Sequence, residues 1–319
     1  MFRNLGLIGL LFFISFAIYK KNISKSKSKS KSELLTQSLN NPQVFALENN
    51  PVNLAISVNK KLKPLKKAKE QKIIFKVLPP TKLSKQQKRS ASFNKVEFQV
   101  KDGWAVSHGD IVWGKVSGKK KNGYLNASKI KAWENGIVPY SIDAKLSKKQ
   151  IKIITSAVEY ISSNSNVEFI PNDGSFTEGI VFTTLKNPRE CRSYLGRAGD
   201  IIQPVFLGSK CGFSEILHEL MHVLGFVHEH SRIDRDQYVK INWDNIVEDR
   251  ESQFYVYPED LPLDYARENY DFKSIMHYGK GFFSKNKRAT IEPLDNPMQG
   301  LGGKDMSEQD WQKIDAVYY

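Results

Sequence analysis

Three histidines and one glutamate in a short stretch are the residues best able to do chemistry here: His218-Glu219-Leu220-Met221-His222-Val223-Leu224-Gly225-Phe226-Val227-His228-Glu229. His218 and His222 are four residues apart, which on an α-helix puts both imidazoles on one face, one turn apart. Two neutral imidazoles converging from one face suit Zn²⁺. Glu219 follows the first histidine and sits beside the metal face, where a general base for water activated by the metal is needed. Leu220, Val223 and Leu224 form the opposite, core-facing stripe. Gly225 permits a left-handed backbone that ends the helix and turns the chain. The turn can bring His228 back as a third ligand, and three protein ligands leave a position open for water, the mark of a catalytic site. A core helix that happens to carry histidines is the plain alternative. It has no reason to produce all five fixed positions of H-E-x-x-H-x-x-G-x-x-H.

That extended spacing resembles the metzincin metallopeptidases. Glu229, within His228-Glu229-His230-Ser231-Arg232, narrows the resemblance to the astacin family, and Ser274-Ile275-Met276-His277-Tyr278 resembles that family's Met-turn. The resemblance covers residues 127–319. It implies an α+β fold: a metzincin-like zincin domain with a mixed twisted sheet, long helices and an active-site cleft between an upper and a lower subdomain. It also implies a zinc endopeptidase acting on proteins or peptides, with one Zn²⁺ per catalytic domain on His218, His222 and His228. Glu219 is then the general base. Tyr278 resembles the family's extra zinc ligand, whose phenol leaves the metal for the tetrahedral oxyanion. Met276 forms a packing floor, and Glu229 pairs with a new N-terminal ammonium after activation.

The two cysteines, Cys191 and Cys211, are read from sequence alone either as a disulfide or as free thiols. A disulfide implies export from the cytosol. The family resemblance favours the bridge, since it has one at these positions. The family's second bridge, from a strand near Asn166 to the C-terminus, has no cysteines here, which leaves the C-terminal anchor to packing. Cys191-Arg192-Ser193-Tyr194 resembles the family's substrate-binding edge strand. Backbone pairing there would hold an extended peptide of any sequence, and a structural loop is the alternative for Arg192, Ser193 and Tyr194.

The net charge of +14 is unevenly spread. Residues 1–95 hold 20 Lys+Arg against 3 Asp+Glu, and residues 96–319 hold 28 against 31. The catalytic portion is therefore not basic, and nothing in it has a nucleic-acid-binding pattern. Residues 1–20 read as a signal peptide or an uncleaved membrane anchor: the apolar run of residues 5–19 is short for a bilayer, yet lysines follow it. Residues 21–95 are a Lys/Ser-rich linker, expected to be disordered, with a tether to membrane or anionic polymer as the alternative. Either reading places the catalytic domain outside the cytoplasm.

Residues 96–126 are read as an inhibitory prosegment. Asp110, in His108-Gly109-Asp110-Ile111, resembles the family's zymogen switch, a carboxylate that reaches the zinc; an ordinary Gly-Asp turn is the alternative. Ser107 stands where the family usually has an aromatic residue. The Lys119-Lys120-Lys121 run offers an activating cut. Residues 127–319 form the catalytic domain. Ser147 caps a helix carrying Ile151, Ile154, Val158 and Ile161, short strands surround Val167 and Ile180, and Ser307 with Asp310 caps a last helix. A catalytically silent zinc-binding protein, or a tethered adhesive protein on the same fold, is the rival reading. Glu219 argues against silence, because a dead site has no need of a base.

Overall fold

A computed structural model describes residues 95–116, 122–126, 130–258 and 269–319. The expectations for residues 1–20, for nearly all of 21–95 and for the lysines at 119–121 lie outside the described residues. Among the described residues no helix is long and apolar enough to cross a membrane.

The first four strands are β1 (Lys95–Lys101), β2 (Trp104–Ser107), β3 (Ile111–Lys115) and β4 (Asn122–Asn126). β1 pairs antiparallel with both β2 and β4, and β2 pairs antiparallel with β3. Five more strands follow: β5 (Ile137–Ile142), β6 (Glu168–Pro171), β7 (Gly179–Thr184), β8 (Cys191–Tyr194) and β9 (Ile202–Leu207). β5, β6, β7 and β9 run parallel to one another, and β8 returns antiparallel to β9. All nine form one mixed sheet in the order β4-β1-β2-β3-β8-β9-β7-β5-β6. The expected edge strand, β8, is thus an interior strand in this chain. β3 lies along it in parallel, with Ile111 opposite Ser193 and Val112 opposite Tyr194.

Two helices cover the sheet. α1 (Lys148–Asn164) starts at a capping box in which Ser147 and Gln150 satisfy each other's backbone N–H, two of the donors a helix start otherwise leaves bare. Its Ile151, Ile154, Val158 and Ile161 are buried, as their helical spacing requires. α2 (Phe213–Val223) carries His218 and His222, and its Leu217, Leu220 and Val223 enter the same core. Phe98, Ile111 and Leu125 of the first strands belong to that core too, so the early segment packs as part of the sheet. Beyond α2 the chain is mostly irregular, with a two-stranded pair β10 (Val239–Ile241) and β11 (Ile291–Pro293). A second apolar cluster there joins Val239, Ile241, Phe254, Tyr270 and Tyr278. The architecture is the expected α+β one, and Tyr278 of the second cluster meets the rings of His228 and His230, which follow α2.

The last helix, α3 (Glu308–Val317), is capped by Ser307 and Asp310. The expectation that packing alone anchors the C-terminus needs correction. The Tyr318 hydroxyl donates to the Leu224 carbonyl at 2.7 Å, and the Asp310 carboxylate accepts from the Ser274 hydroxyl at 2.6 Å and the Ile275 N–H at 2.9 Å. Lys313 adds a buried ion pair to Glu229. Buried polar bonds of this kind are directional and expensive to leave unmade, so they fix α3 where the absent disulfide does not.

Cys191 and Cys211 are bridged, linking β8 to the entrance of α2. Replacing both with serine lowers the unfolding free energy by about 3 kcal/mol in the chain-entropy picture. Denaturant unfolding of the double variant, beside the parent with and without reductant, checks this; an unchanged midpoint would count against the bridge.

Candidate metal centre

The geometry is built by the two ends of α2. At its start the Glu215 carboxylate accepts the Gly212 N–H at 2.9 Å. At its end Gly225 takes φ +100°, and the Phe226 N–H returns to the Met221 carbonyl at 3.0 Å. A side chain at Gly225 would strain that left-handed turn. The turn sends His228 back toward His218 and His222. The three rings lie with centroids 4.7–5.1 Å apart, and the Nε2 atoms of His218 and His228 come within 3.2 Å.

The opposite ring nitrogens explain why Nε2 faces inward. His218 Nδ1 lies 2.9 Å from the Ile275 carbonyl, and His222 Nδ1 lies 2.8 Å from the Phe226 carbonyl. A carbonyl there can only accept, so Nδ1 carries the proton and the Nε2 lone pair points at the centre. The Ile275 contact ties the Met-turn to the first histidine. Met276 is buried beneath, and its carbonyl accepts the Glu229 N–H at 2.9 Å.

Asp110 completes the ring. Its carboxylate oxygens lie 3.6, 3.5 and 3.3 Å from Nε2 of His218, His222 and His228. One donor atom from each of these four residues lies within 4.8 Å of all the others. Burial works against ionisation of Asp110, but the three histidines outweigh it and hold its carboxyl well below the usual range. Burial also works to discharge His218, and Asp110 reverses this, raising it to about 9; His222 is left at about 4, chiefly by burial. Without a metal, the half-buried Asp110 carboxylate thus favours a proton on His218. A divalent cation supplies that charge directly. Asp110 Oδ1 and His222 Nε2 are also buried without a hydrogen-bond partner, an arrangement that costs about 1–3 kcal/mol per group unless something else engages it. Three imidazoles and a carboxylate are a fitting donor set for Zn²⁺.

Glu219 is 2% exposed, and its Oε2 has no hydrogen-bond partner. Burial, followed by the negative charge of Asp110, pushes its pKa up to about 8. The Ser193 hydroxyl donates to the Glu219 carbonyl at 3.0 Å, so this serine braces the metal helix from β8. The Arg192 guanidinium is buried against Glu190 and Asp102, and Tyr194 packs edge-on to Trp104. The side chains of Arg192 and Tyr194 therefore face the early segment, and the Ser193 N–H is taken by the Asp110 carbonyl at 3.1 Å.

The Tyr278 phenol donates to the His108 carbonyl at 2.9 Å and stacks on His230, with ring centroids 3.9 Å apart. At Ser107, where an aromatic is expected, the hydroxyl accepts from the Trp113 indole at 2.8 Å, and the neighbouring His108 ring stacks on Tyr257 at 3.9 Å. Gly109 has φ +98°, and a Cβ there would lie 2.5 Å from Gln253 Oε1. Three contributors escape a reading of the sequence: Gln253, the bracing role of Ser193, and Lys313. Gln253 and Lys313 sit in no local motif, Ser193 is expected only as part of a strand, and each acts across a large sequence separation.

Residues 125–319 match the model of the peptidase family described as Astacin. Zinc metalloproteinase nas-6 of Caenorhabditis elegans is 41% identical over 199 residues, which is 61% of this chain and 56% of that protein. The low choriolytic enzyme of Oryzias latipes is 34% identical over 188 residues, covering 58% of this chain and 66% of its own. The chain thus spans about half the length of the first of these relatives. Among solved structures, high choriolytic enzyme 1, a hatching enzyme zinc-protease from medaka, superposes with a TM-score of 0.53 at 31% identity, over 60% of this chain and 94% of that one.

Loading the purified full chain with Zn²⁺ gives one equivalent after dialysis. His222→Ala and His228→Ala each weaken retention by more than the roughly 10–100-fold typical of losing an outer-shell partner. Metal analysis against a competing chelator decides it; retention unchanged in both variants would rule this centre out.

Proposed function

The chain belongs to the astacin family of zinc metallopeptidases, and on that premise we propose that it is an endopeptidase of proteins or peptides, made as a precursor closed by Asp110. The observation that carries the reading is the convergence of three Nε2 atoms and the Asp110 carboxylate on one point, with a buried carboxylate, Glu219, beside it.

His218, His222 and His228 would hold the metal. Zn²⁺ in such a set acts as a Lewis acid, which makes water nucleophilic near neutral pH and polarises the scissile carbonyl. Glu219 takes the proton of the attacking water and later delivers it to the leaving amine. Burial is the main reason Glu219 holds its proton, and the negative charge of Asp110 adds to it, so the departure of that carboxylate opens the site and removes the smaller of the two effects. Tyr278 loses its partner, the His108 carbonyl, at the same step. Its phenol is then free to donate to the oxyanion of the tetrahedral intermediate.

The prosegment spans residues 96–126 in this reading, and the catalytic domain residues 127–319. β3 lies along β8, where an extended substrate would pair through its backbone. Access to Ser193 and its neighbours therefore requires β3 to leave. The Cys191–Cys211 bridge supports a life outside the cytosol, with residues 1–20 as signal or anchor and 21–95 as linker. A membrane or anionic-polymer tether through residues 1–95 is the alternative reading of that segment. A silent zinc-binding protein is the rival reading, and the buried, unpartnered Glu219 carboxylate oxygen speaks against it.

In the chain activated by a cut between residues 117 and 129, Glu219→Ala retains zinc while kcat on an unstructured protein falls by about 10²–10⁴, the usual worth of a general base. Tyr278→Phe lowers kcat by about 10²–10³ with KM nearly unchanged, as expected for an oxyanion donor. Zinc bound normally, with no hydrolysis by the parent, would favour the silent reading.

Asp110→Ala in the uncut chain gives measurable hydrolysis without proteolytic activation. Gly109→Ala acts in the same direction, because its backbone is left-handed and its Cβ would crowd the Tyr278 phenol at 3.2 Å as well as displace the end of the Gln253 side chain. Uncut variants that stay as inactive as the parent would remove Asp110 from the switch.

A further inference from the structure

One buried ion pair lies outside everything the proposed reaction uses. Lys313 of α3 places its ammonium 2.7 Å from Glu229 Oε2, and both side chains are 3% exposed. Lysine is almost never so buried unless paired. The other Glu229 oxygen accepts from the Arg232 guanidinium and from the Asp271 N–H, each at 2.9 Å. The Glu229 N–H goes to the Met276 carbonyl. One residue, next in sequence to His228, thus gathers the turn at Arg232, the entry to the Met-turn at Asp271, and the C-terminal helix.

The charge balance gives Lys313 its part. Arg232 is shared: its Nε and second amine bind the Asp234 carboxylate at 2.9 and 2.8 Å. Arg232 therefore serves two carboxylates, and Lys313 supplies the second cation. With Arg232, Asp271 and Lys313 all donating to Glu229, both carboxylate oxygens are already engaged in the uncut chain, where the family resemblance leads one to expect an ammonium made only by cleavage.

We propose that Lys313 is a positioning residue for the third zinc ligand, an internal cation that completes the site so that its maturation does not depend on where the precursor is cut. This rests on the precursor reading above. It assigns the cut one task, removal of Asp110, and leaves the assembly of the ligand loop to α3. A charge brought from the last helix also does the work of the missing C-terminal disulfide in holding that helix to the site.

The test uses the full chain with a sequence-specific protease site inserted at either of two positions between residues 117 and 129. Each is made as parent, Lys313→Met and Lys313→Arg. Zinc affinity by chelator competition is measured before and after cutting, and kcat and KM after it. Lys313→Met should weaken zinc about 10–100-fold, the scale of lost outer-shell support, and lower kcat more than it raises KM. Lys313→Arg should recover most of both, and the two parent products should have equal kcat despite their different N-termini. Parent-level zinc affinity in Lys313→Met, or parent activity with only one of the two N-termini, overturns the proposal. Should Lys313→Met not fold, the pair Glu229→Gln with Lys313→Met removes both buried charges together; weakened zinc in that folded chain supports the proposal, and parent affinity sinks it. A parent that binds zinc but hydrolyses nothing refutes the peptidase reading, while the zinc comparison still decides the role of Lys313.

Discussion

The structure depends on holding three imidazole nitrogens at one point, two of them with a tautomer set by the backbone. Spacing on α2 brings two of them together, but spacing does not choose the tautomer. That choice is made by the carbonyls of Ile275 and Phe226, which accept from Nδ1 of His218 and His222. One carbonyl comes from the Met-turn, 57 residues away, and the other from the turn that ends α2. The orientation of these two ligands is therefore as good as the placement of those two backbone segments. Most of the surrounding architecture can be understood as their support: Met276 bonded to Glu229, Asp310 bonded to the Met-turn, and Tyr318 and Trp133 bonded to the end of α2.

The early strands exploit the same centre. β1 to β4 contribute Phe98, Ile111 and Leu125 to the main core, so their docking carries hydrophobic stabilisation as well as the Asp110 contacts. The proposed block is thus distributed over a set of strands, a buried histidine ring and one carboxylate. The carboxylate is the part that interferes with chemistry. It fills the point where the imidazoles converge, its charge opposes ionisation of Glu219, and the carbonyl two residues before it holds the Tyr278 phenol. In the proposed mechanism, the zinc ligands, the base and the oxyanion donor are all silenced by one short turn, which Gly109 permits by its left-handed backbone and its lack of a side chain beside Gln253.

Charge is used economically around this core. The strongly basic composition belongs to residues 1–95, whereas the charges nearest the site are paired and buried. Arg232, Arg235, Glu229 and Lys313 are each less than a tenth exposed. Arg235 donates to the carbonyls of His230 and Phe254 at 2.8 and 2.7 Å, fixing the segment that presents Gln253. Buried pairs of this type contribute little net stability; their worth here lies in the single arrangement that satisfies them all.

How much was legible in the sequence follows from the range of the interactions. The periodicity of α1 and α2, the caps at Ser147 and Ser307, and the turn at Gly225 are local, so propensity and spacing alone specify them. The ligand candidates are local in the same sense, since a helix period and one turn relate His218, His222 and His228. Family resemblance added Asp110, Tyr278 and Met276, none of which composition or spacing would single out, and favoured the bridge over free thiols for a cysteine pair that composition had already offered. The remaining features are non-local and came from packing: that β8 is an interior strand with β3 alongside, that the His108 ring stacks on Tyr257, that Ser193 braces Glu219 from 26 residues away, and that Lys313 meets Glu229 across 84. Local spacing was enough to say which residues could ligate and which elements would carry them. The fold alone determined their partners, because a hydrogen bond or an ion pair between distant segments leaves no periodic trace in the chain and exists only once packing has closed the distance.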